Sequence, residues 1–121
     1  MSTTTTNVRV NELNDFIRTG RILEAMDEFY DDSVTMQENA GEPTVGLAAN
    51  IEREKGFLAN VKEFHAFDVK SVATGPDLSI VESEMRFTDQ SDNEVVLQQV
   101  SVQRWSGNRI ISERFYYDSG A

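Results

Sequence analysis

The stretch LSIVESEMRFTDQSDNEVVLQQVSVQRW, residues 78–105, decides the fold of this chain. It holds two runs rich in β-branched and aromatic side chains, and the segment DQSDN between them has the composition of a turn. In the first run one set of residues is small or apolar (Val81, Ser83, Met85, Phe87) and the alternating set is charged (Glu82, Glu84, Arg86). This period of two predicts a β-hairpin whose apolar side chains face the core and whose charged side chains lie on an outer or dimer face.

The same pattern continues on both sides of this stretch. EFHAFDVKSVAT (63–74) precedes it and RIISERFYY (109–117) follows it, with turn segments GPD and SGN between the runs. Short connections of this kind favour a meander of antiparallel strands. The sequence therefore predicts four consecutive strands in its second half.

The first half of the chain is predicted to be mainly helical. Apolar residues recur at helical spacing from Val8 to Thr19, with Gly20 as the stop, and again from Ile22 to Tyr30. SVTMQE (33–38) alternates as a short strand, and GLAANIEREKGFLANV (46–61) predicts a third helix with Thr44 as its N-cap. Three helices followed by strands indicate an α+β fold, with N-terminal helices packed on a strongly curved antiparallel sheet.

Length and composition fit one folded domain. The chain has 121 residues, which matches a single domain, and we expect it to span residues 8–121. MSTTTTN has neither an apolar nor a basic segment, so residues 1–7 are predicted to be a disordered polar leader rather than a signal peptide. No run is long and apolar enough to predict a membrane helix.

The charge and the residue types exclude several functions. The chain has 21 acidic and 11 basic residues, and its net charge of −10 disfavours nucleic acid as a partner. It has no cysteine and one histidine, His65, so no metal site and no cofactor are predicted. This composition is typical of a cytoplasmic protein.

The order of elements, together with the segments FYDDSV, EPTVG, VSVQRW and RFYYD, resembles the SnoaL-like branch of the nuclear transport factor 2-like superfamily. The resemblance covers about Val8 to Asp118 and implies a cone-shaped fold in which a bent sheet wraps the helices and encloses a pocket. It also implies a homodimer. Members include ketosteroid isomerases, polyketide cyclases, dehydratases, epoxide hydrolases and proteins that only bind or scaffold, so the fold does not give the function.

An ungapped alignment with ketosteroid isomerases tests one of these activities. Their general base falls at Gln37, their oxyanion tyrosine at Leu13 and that tyrosine's protonated aspartate partner at Ser101. Isomerisation by their mechanism needs a carboxylate base and two acidic donors. The chain is therefore not expected to be a ketosteroid isomerase of that mechanism.

The same alignment implies which residues line the pocket. On the strands these are Thr35, Gln37, Gln99, Ser101, Gln103, Ile111, Glu113, Phe115 and Tyr117, and on the helices Leu13 and Glu54. Glu54 and Glu113 would share a partly apolar cavity, where burial and mutual repulsion favour protonation near neutral pH. We expect them to be acid/base catalysts, with His65 joining them if its ring faces the same cavity. The glutamines suit hydrogen bonding to carbonyl or hydroxyl groups of a small apolar metabolite.

Other interpretations of these residues remain open. Glu54 could reach solvent or pair with Arg53, Lys55 or Arg114, and His65 could be a hydrogen-bonded rim residue. The glutamines could satisfy one another and Glu113 in a closed network. The chain is thus predicted to be a cofactor-independent isomerase, cyclase, dehydratase or hydrolase, with a non-catalytic binding protein or a structural dimer module as alternatives.

Overall fold

The helices and strands follow the predicted order. The computed structural model describes residues 1–120, and the elements are α1 (Thr3–Arg18), α2 (Ile22–Phe29), β1 (Tyr30–Glu38), β2 (Thr44–Val45), α3 (Leu47–Ala59), β3 (Val61–Gly75), β4 (Leu78–Asp89), β5 (Glu94–Ser106) and β6 (Arg109–Tyr117). The α+β prediction of three helices and a curved sheet is confirmed. None of the helices within residues 1–120 has the length and apolar character needed to cross a membrane.

The strands form one sheet in the order β2-β1-β6-β5-β4-β3. β3 to β6 are the predicted antiparallel meander, whereas β1 pairs with β6 in parallel and with β2 in antiparallel orientation. The parallel pair brings the first long strand beside the last one. Register shifts interrupt β1–β6, β3–β4 and β5–β6, and such bulges increase the bend of a sheet.

The core lies between the helices and the concave face of this sheet. Val10 and Leu13 of α1 and Phe29 of α2 are fully buried there. They belong to one cluster with Trp105 and Ile110 from the sheet. The apolar set predicted for β4 is buried as expected, and Trp105 packs in the core.

On the outer face, Glu84 is the exception among the charged residues of β4 because its side chain is largely covered. Its carboxylate lies 2.7 Å from Arg86 and 3.6 Å from Lys70. Burial alone would raise the pKa of Glu84, but the hydrogen bond and charge of Arg86 and the charge of Lys70 lower it. Glu84 is therefore a structural ion-pair residue on the outer face.

The prediction of a disordered leader over residues 1–7 is wrong, because α1 already begins at Thr3. The hydroxyl of Ser2 caps the helix by accepting from the amide of Thr5, and Thr6 is fully buried. The amino group of Met1 pairs with Asp77 in the β3–β4 turn. The run of threonines has low helix propensity, but the cap and these long-range contacts outweigh it.

The start of α3 also differs from the prediction. Thr44 is not its N-cap but pairs with Met36 as part of β2, and Gly46 takes the N-cap position at a φ of 95°. The fully buried amide of Asn50 donates to the carbonyl oxygens of Gly46 at 2.8 Å and of Thr44 at 3.0 Å. Asn50 therefore ties the first turn of α3 to the preceding strand.

Candidate active site

A cavity of about 320 Å³ lies between the three helices and the concave face of the sheet. Its walls are mainly apolar and come from all three helices and from β1, β3, β4, β5 and β6. Its size and its few convergent polar groups are typical of a small-molecule site. The cavity is partly open to solvent, and Glu38, which is exposed, is one of its lining residues.

Glu113 is the most buried carboxyl group in the cavity wall, at 3% exposure. Its Oε1 accepts a hydrogen bond from the hydroxyl of Tyr30, and its Oε2 accepts one from the amide of Gln103 at 2.8 Å. Tyr30 also lines the cavity. The last strand thus places a carboxyl group beside a phenol from the first strand.

Burial raises the pKa of Glu113 to about 7, against the opposing effect of the hydrogen bonds from Tyr30 and Gln103. The charge of Glu54 raises this pKa further, and Arg53 lowers it. A carboxyl group whose pKa is near neutral can both donate and accept a proton at physiological pH, so Glu113 has the property that general acid/base catalysis requires. The pKa of Tyr30 is raised well above its usual range by burial and by Glu113.

A series of hydrogen-bonded side chains leads through Gln103 to Glu113. The indole nitrogen of Trp105 donates to the hydroxyl of Ser79 at 2.9 Å, and this hydroxyl donates to Oε1 of Gln103 at 2.6 Å. The amide nitrogen of Gln103 then donates to Glu113. All three side chains are buried, and each has a hydrogen-bond partner in this series, which holds Gln103 in one orientation.

Glu54, from α3, lines the same cavity. Burial raises its pKa, while Arg53 lowers it and Glu38 adds a smaller increase. Arg53 pairs with Glu38 at 3.5 Å. The other bases that sequence patterns offered as partners are engaged elsewhere, since Lys55 pairs with Glu52, and Arg114 donates to a backbone carbonyl.

Two buried donors in the cavity wall have no hydrogen-bond partner within residues 1–120. They are the side-chain amide nitrogen of Asn14, a residue that is 3% exposed, and Nε of Arg53. An unpaired buried donor is costly, and the group is retained more easily when a ligand oxygen accepts from it. Asn14 and Arg53 are therefore candidate ligand contacts on the helical side of the cavity.

Seven residues proposed from the sequence lie together in this cavity wall. They are Leu13, Glu54, Gln99, Ser101, Gln103, Glu113 and Phe115. The structure therefore brings both proposed catalytic glutamates to one cavity. Their chemical roles remain predictions.

The prediction that Gln37 and Thr35 line the pocket is wrong. The inward residues of β1 are Val34 and Met36, and Met36 lines the cavity. The amide of Gln37 instead donates to the carbonyl oxygen of Gly41 at 2.9 Å. The alignment was one residue out of phase with the pleat of the strand, which moves every side chain to the opposite face.

The prediction that Ile111 lines the pocket is also wrong. Ile110 pairs with Trp105 and Ser112 pairs with Arg104, so Ile111 occupies a bulge and its side chain is exposed. Tyr117 lies beyond the cavity wall and is partly buried near Glu38. Burial and the charge of Glu38 raise the pKa of Tyr117. Neither Ile111 nor Tyr117 contributes to the cavity wall.

His65 does not face the cavity, so its proposed role beside the two glutamates is wrong. Phe64 pairs with Phe87 and Ala66 with Arg86, which leaves His65 as the extra residue of a bulge. Its ring is exposed and contacts the hydroxyl of Thr88 at 2.7 Å. The bulge explains how Phe64 and Phe67, three residues apart, both pack in the inner cluster.

Sequence reasoning missed Tyr30, Asn14, Arg53 and Ser79. Tyr30 was read as part of the apolar face of α2, but it is the first residue of β1. Asn14 follows Leu13 on the buried face of α1, and a polar residue there was a usable signal. Within residues 1–120, no group of three or more histidine and acidic side chains is arranged to hold a metal ion.

Comparison with known proteins identifies the family. The sequence profile of the SnoaL-like domain matches residues 10–113. No curated protein matches the sequence significantly. Because the profile match spans most of the chain, it carries the family assignment.

Solved structures agree in fold. A Mesorhizobium loti protein that is named as a SnoaL-like polyketide cyclase superposes with a TM-score of 0.81 at 17% identity, covering 93% of this chain and 98% of the other. An NTF2-like protein of unknown function from Burkholderia pseudomallei superposes with a TM-score of 0.83 at 16% identity, covering 99% of this chain and 94% of the other. An LEH-like epoxide hydrolase from M. tuberculosis superposes with a TM-score of 0.78 at 14% identity, covering 96% of this chain and 84% of the other. The chain belongs to the SnoaL-like domain family and has the NTF2-like fold.

Proposed function

We propose that the chain is a cofactor-independent acid/base catalyst acting on a small, largely apolar metabolite. The reaction is of the isomerase, cyclase, dehydratase or hydrolase type, because each of these requires a positioned group that gives or takes a proton. The observation that carries the proposal is Glu113, a buried carboxyl group in a cavity wall with a pKa of about 7. Glu54 is the second proton-transfer group of the proposed site.

The chemistry of the cavity wall supports a neutral ligand with carbonyl or hydroxyl oxygens. Apolar side chains supply most of the surface, and the unpaired amide of Asn14 offers a donor to a ligand oxygen. Gln99 and Ser101 offer further hydrogen bonds from the sheet. An anionic ligand is disfavoured, because Glu38, Glu54 and Glu113 outnumber the single arginine of the wall.

A non-catalytic binding protein is the second candidate. Asn14 supports it equally well, because a donor that waits for a ligand is useful with or without turnover. A purely structural module is less well supported, since its carboxylates should be neutralised by arginine. Here Arg53 pairs with Glu38, and the direct partners of Glu113 are a phenol and an amide. The names polyketide cyclase and epoxide hydrolase among the structural neighbours are in line with the catalytic proposal.

We also propose a homodimer formed through the outer face of the sheet. Val96 and Tyr116 are 53% and 43% exposed on this face, and the partly exposed Val100 pairs directly with Tyr116. Exposed aromatic and aliphatic side chains are typical of protein interfaces. This interface would leave the cavity on the concave side accessible.

The experiment combines ligand discovery with turnover. Native mass spectrometry of the purified protein identifies any copurifying compound, and a panel of cyclic ketones, enones and epoxides is incubated with the protein in D₂O. We expect deuterium incorporation or conversion with the wild type and its loss in Glu113→Gln and Glu54→Gln. The control variants are Glu52→Gln, at an exposed carboxylate on the same helix as Glu54, and Glu82→Gln, at an exposed carboxylate on the outer face of β4, and both should retain the activity.

Three outcomes separate the candidates. Conversion that requires Glu113 supports the catalyst. Saturable binding without conversion of any compound supports the binding protein and contradicts the catalytic proposal. Neither binding nor conversion, with all variants folded, favours the structural module.

A further inference from the structure

We infer that Tyr30, rather than Glu113, is the group that exchanges a proton with the ligand. Three side chains behind Glu113, here named the orienting chain (Trp105, Ser79 and Gln103), are the positioning residues that force this arrangement. The inference rests on the proposed function, because it assigns the atom through which the proposed acid acts. It is carried by the directions of five side-chain groups that hydrogen-bond in sequence.

The direction of the orienting chain is fixed at Trp105. An indole nitrogen can only donate, so the hydroxyl oxygen of Ser79 accepts from it at 2.9 Å. The hydroxyl proton of Ser79 is then free to go to Oε1 of Gln103, 2.6 Å away. The carbonyl oxygen of the amide therefore points to Ser79, and its nitrogen points to Glu113.

The reversed amide is disfavoured. If the amide nitrogen of Gln103 faced Ser79, the serine oxygen would accept two hydrogen bonds and its own proton would need another acceptor. Ser79 is fully buried, and Gln103 is the acceptor that the structure gives it. A buried hydroxyl proton without an acceptor is costly, so the amide keeps its orientation.

This orientation decides which oxygen of Glu113 can hold a proton. Oε2 faces an amide N–H at 2.8 Å and must remain an acceptor. The proton of the acid form therefore lies on Oε1, and the neighbour of Oε1 is the hydroxyl of Tyr30. In the acid form Oε1 donates to the phenol oxygen, and the proton of Tyr30 turns towards the cavity that the ring lines.

The proposed transfer moves two protons. The O–H bond of Tyr30 breaks as its proton passes to a ligand oxygen, and the Oε1–H bond of Glu113 breaks as its proton passes to Tyr30. The products are a protonated ligand oxygen, a neutral phenol and a carboxylate that accepts from Tyr30. The contact between the hydroxyl of Tyr30 and Oε1 of Glu113 serves both states, with Glu113 donating before the transfer and Tyr30 donating after it.

The other groups around Glu113 agree with a phenol that stays neutral. Glu54 and Arg53 approach from α3, and Gln103 and Tyr30 approach from the sheet. Burial and the charge of Glu113 raise the pKa of Tyr30 well above its usual range. Tyr30 must therefore receive one proton as it gives another.

The test that needs no ligand is a carbon-13 NMR titration of the side-chain carboxyl of Glu113, assigned by its absence in Glu113→Gln. In Ser79→Ala the amide of Gln103 is released and can turn its oxygen to Oε2, so the pKa of Glu113 should rise by about one pH unit. The side-chain amide signals of Gln103 should split into two sets. Trp105→Phe should change both readouts in the same direction and serves if Ser79→Ala does not fold.

Ser71→Ala is the matched control, because Ser71 donates to the carboxylate of Glu82 on the outer face and lies outside the orienting chain. It should leave both readouts unchanged. A Glu113 titration and Gln103 amide signals that are the same in Ser79→Ala as in the wild type would overturn the inference.

Turnover provides the second test. With a converted compound from the panel, Tyr30→Phe and Glu113→Gln should each abolish conversion, and the double variant should be no worse than either. Retained turnover in Tyr30→Phe with loss in Glu113→Gln would overturn the inference but leave the proposed function intact. If no compound is converted, the proposed function fails and the assignment of Tyr30 as the proton-exchanging group fails with it, whereas the NMR titration still decides whether the orienting chain places the proton of Glu113 on Oε1.

Discussion

The protonation of Glu113 couples the site to the stability of the protein. The pKa of this carboxyl is about 7 in the folded chain against a reference of 4.5. Between these values the folded state retains a proton that the unfolded state has lost. The free energy of unfolding therefore falls as the pH rises from 4.5 to about 7. Above pH 7 the contribution of Glu113 no longer changes with pH.

The variant Glu113→Gln should remove this slope, because its amide carries no titrating proton. The difference in unfolding free energy between variant and wild type should move in favour of the variant by about 3 kcal/mol from pH 4.5 to pH 7, using 1.36 kcal/mol per pKa unit. Urea unfolding at several pH values measures this difference. Parallel pH profiles for the two proteins would show that the carboxyl ionises normally.

Asn14 gives a second prediction at the scale of one residue. In Asn14→Leu the unliganded protein should be as stable as the wild type or up to about 1 kcal/mol more stable, because an unpaired buried amide is removed. Affinity for an oxygen-bearing ligand should fall roughly tenfold, the value of one hydrogen bond. Urea unfolding measures the first effect, and calorimetric titration with a compound found by the ligand screen measures the second.

Asn11→Leu is the control for this prediction, since Asn11 lies on the exposed side of α1. It should leave ligand affinity unchanged. A loss of several kcal/mol in Asn14→Leu would contradict the interpretation, because it would mean that the amide stabilises the fold rather than waits for a ligand.

At the scale of the element, Asn50 controls how α3 is attached. Its side-chain amide donates to the carbonyl oxygens of Gly46 and Thr44, and the carbonyl oxygen of Val34 lies 3.4 Å from the amide nitrogen. Asn50→Leu should lower the free energy of unfolding by about 2 kcal/mol, and Asn50→Asp by more, because a carboxylate would face carbonyl oxygens. Urea unfolding compares these variants with Asn60→Leu, an exposed position at the end of the same helix. Equal stability of all three would show that the Asn50 hydrogen bonds contribute little.

The sequence predicted the elements better than it predicted their faces. Segments such as SGN marked strand ends clearly, because turn residues act locally. The bulges at His65 and Ile111 could not be found this way, since an extra residue shows only in the pairing of two strands. On β1 the alternation of Val34 and Met36 was available and would have corrected the alignment that favoured Gln37.

The candidate site was predicted in part for the same reason. Glu54 and Glu113 both followed from the alignment that the family resemblance supplied. The hydrogen bond between Tyr30 and Glu113 joins residues 83 positions apart. No local pattern encodes such a pair, and neither does one encode the buried contact of Ser79 with Gln103.

At the scale of the whole molecule, the outer face of the sheet predicts the assembly. Sedimentation at micromolar concentration should give twice the 13.6 kDa chain mass. The variant carrying Val96→Lys and Tyr116→Lys should sediment as a monomer, because two charges would be buried in the interface. Val45→Lys, at an exposed valine on the edge strand β2, should remain a dimer. A monomeric wild type would remove this interface.

The parallel pairing of β1 with β6 also has a consequence for the order of folding. The meander from β3 to β6 can form from neighbours in the chain, but Tyr30 meets Glu113 only after the chain has closed over the whole intervening length. Closing so long a loop is entropically costly, and contacts of this kind form late. Tyr30 and Glu113, the proposed proton-transfer pair, are therefore expected to meet at the end of folding, and local opening of β6 would separate them while β3, β4 and β5 stay paired.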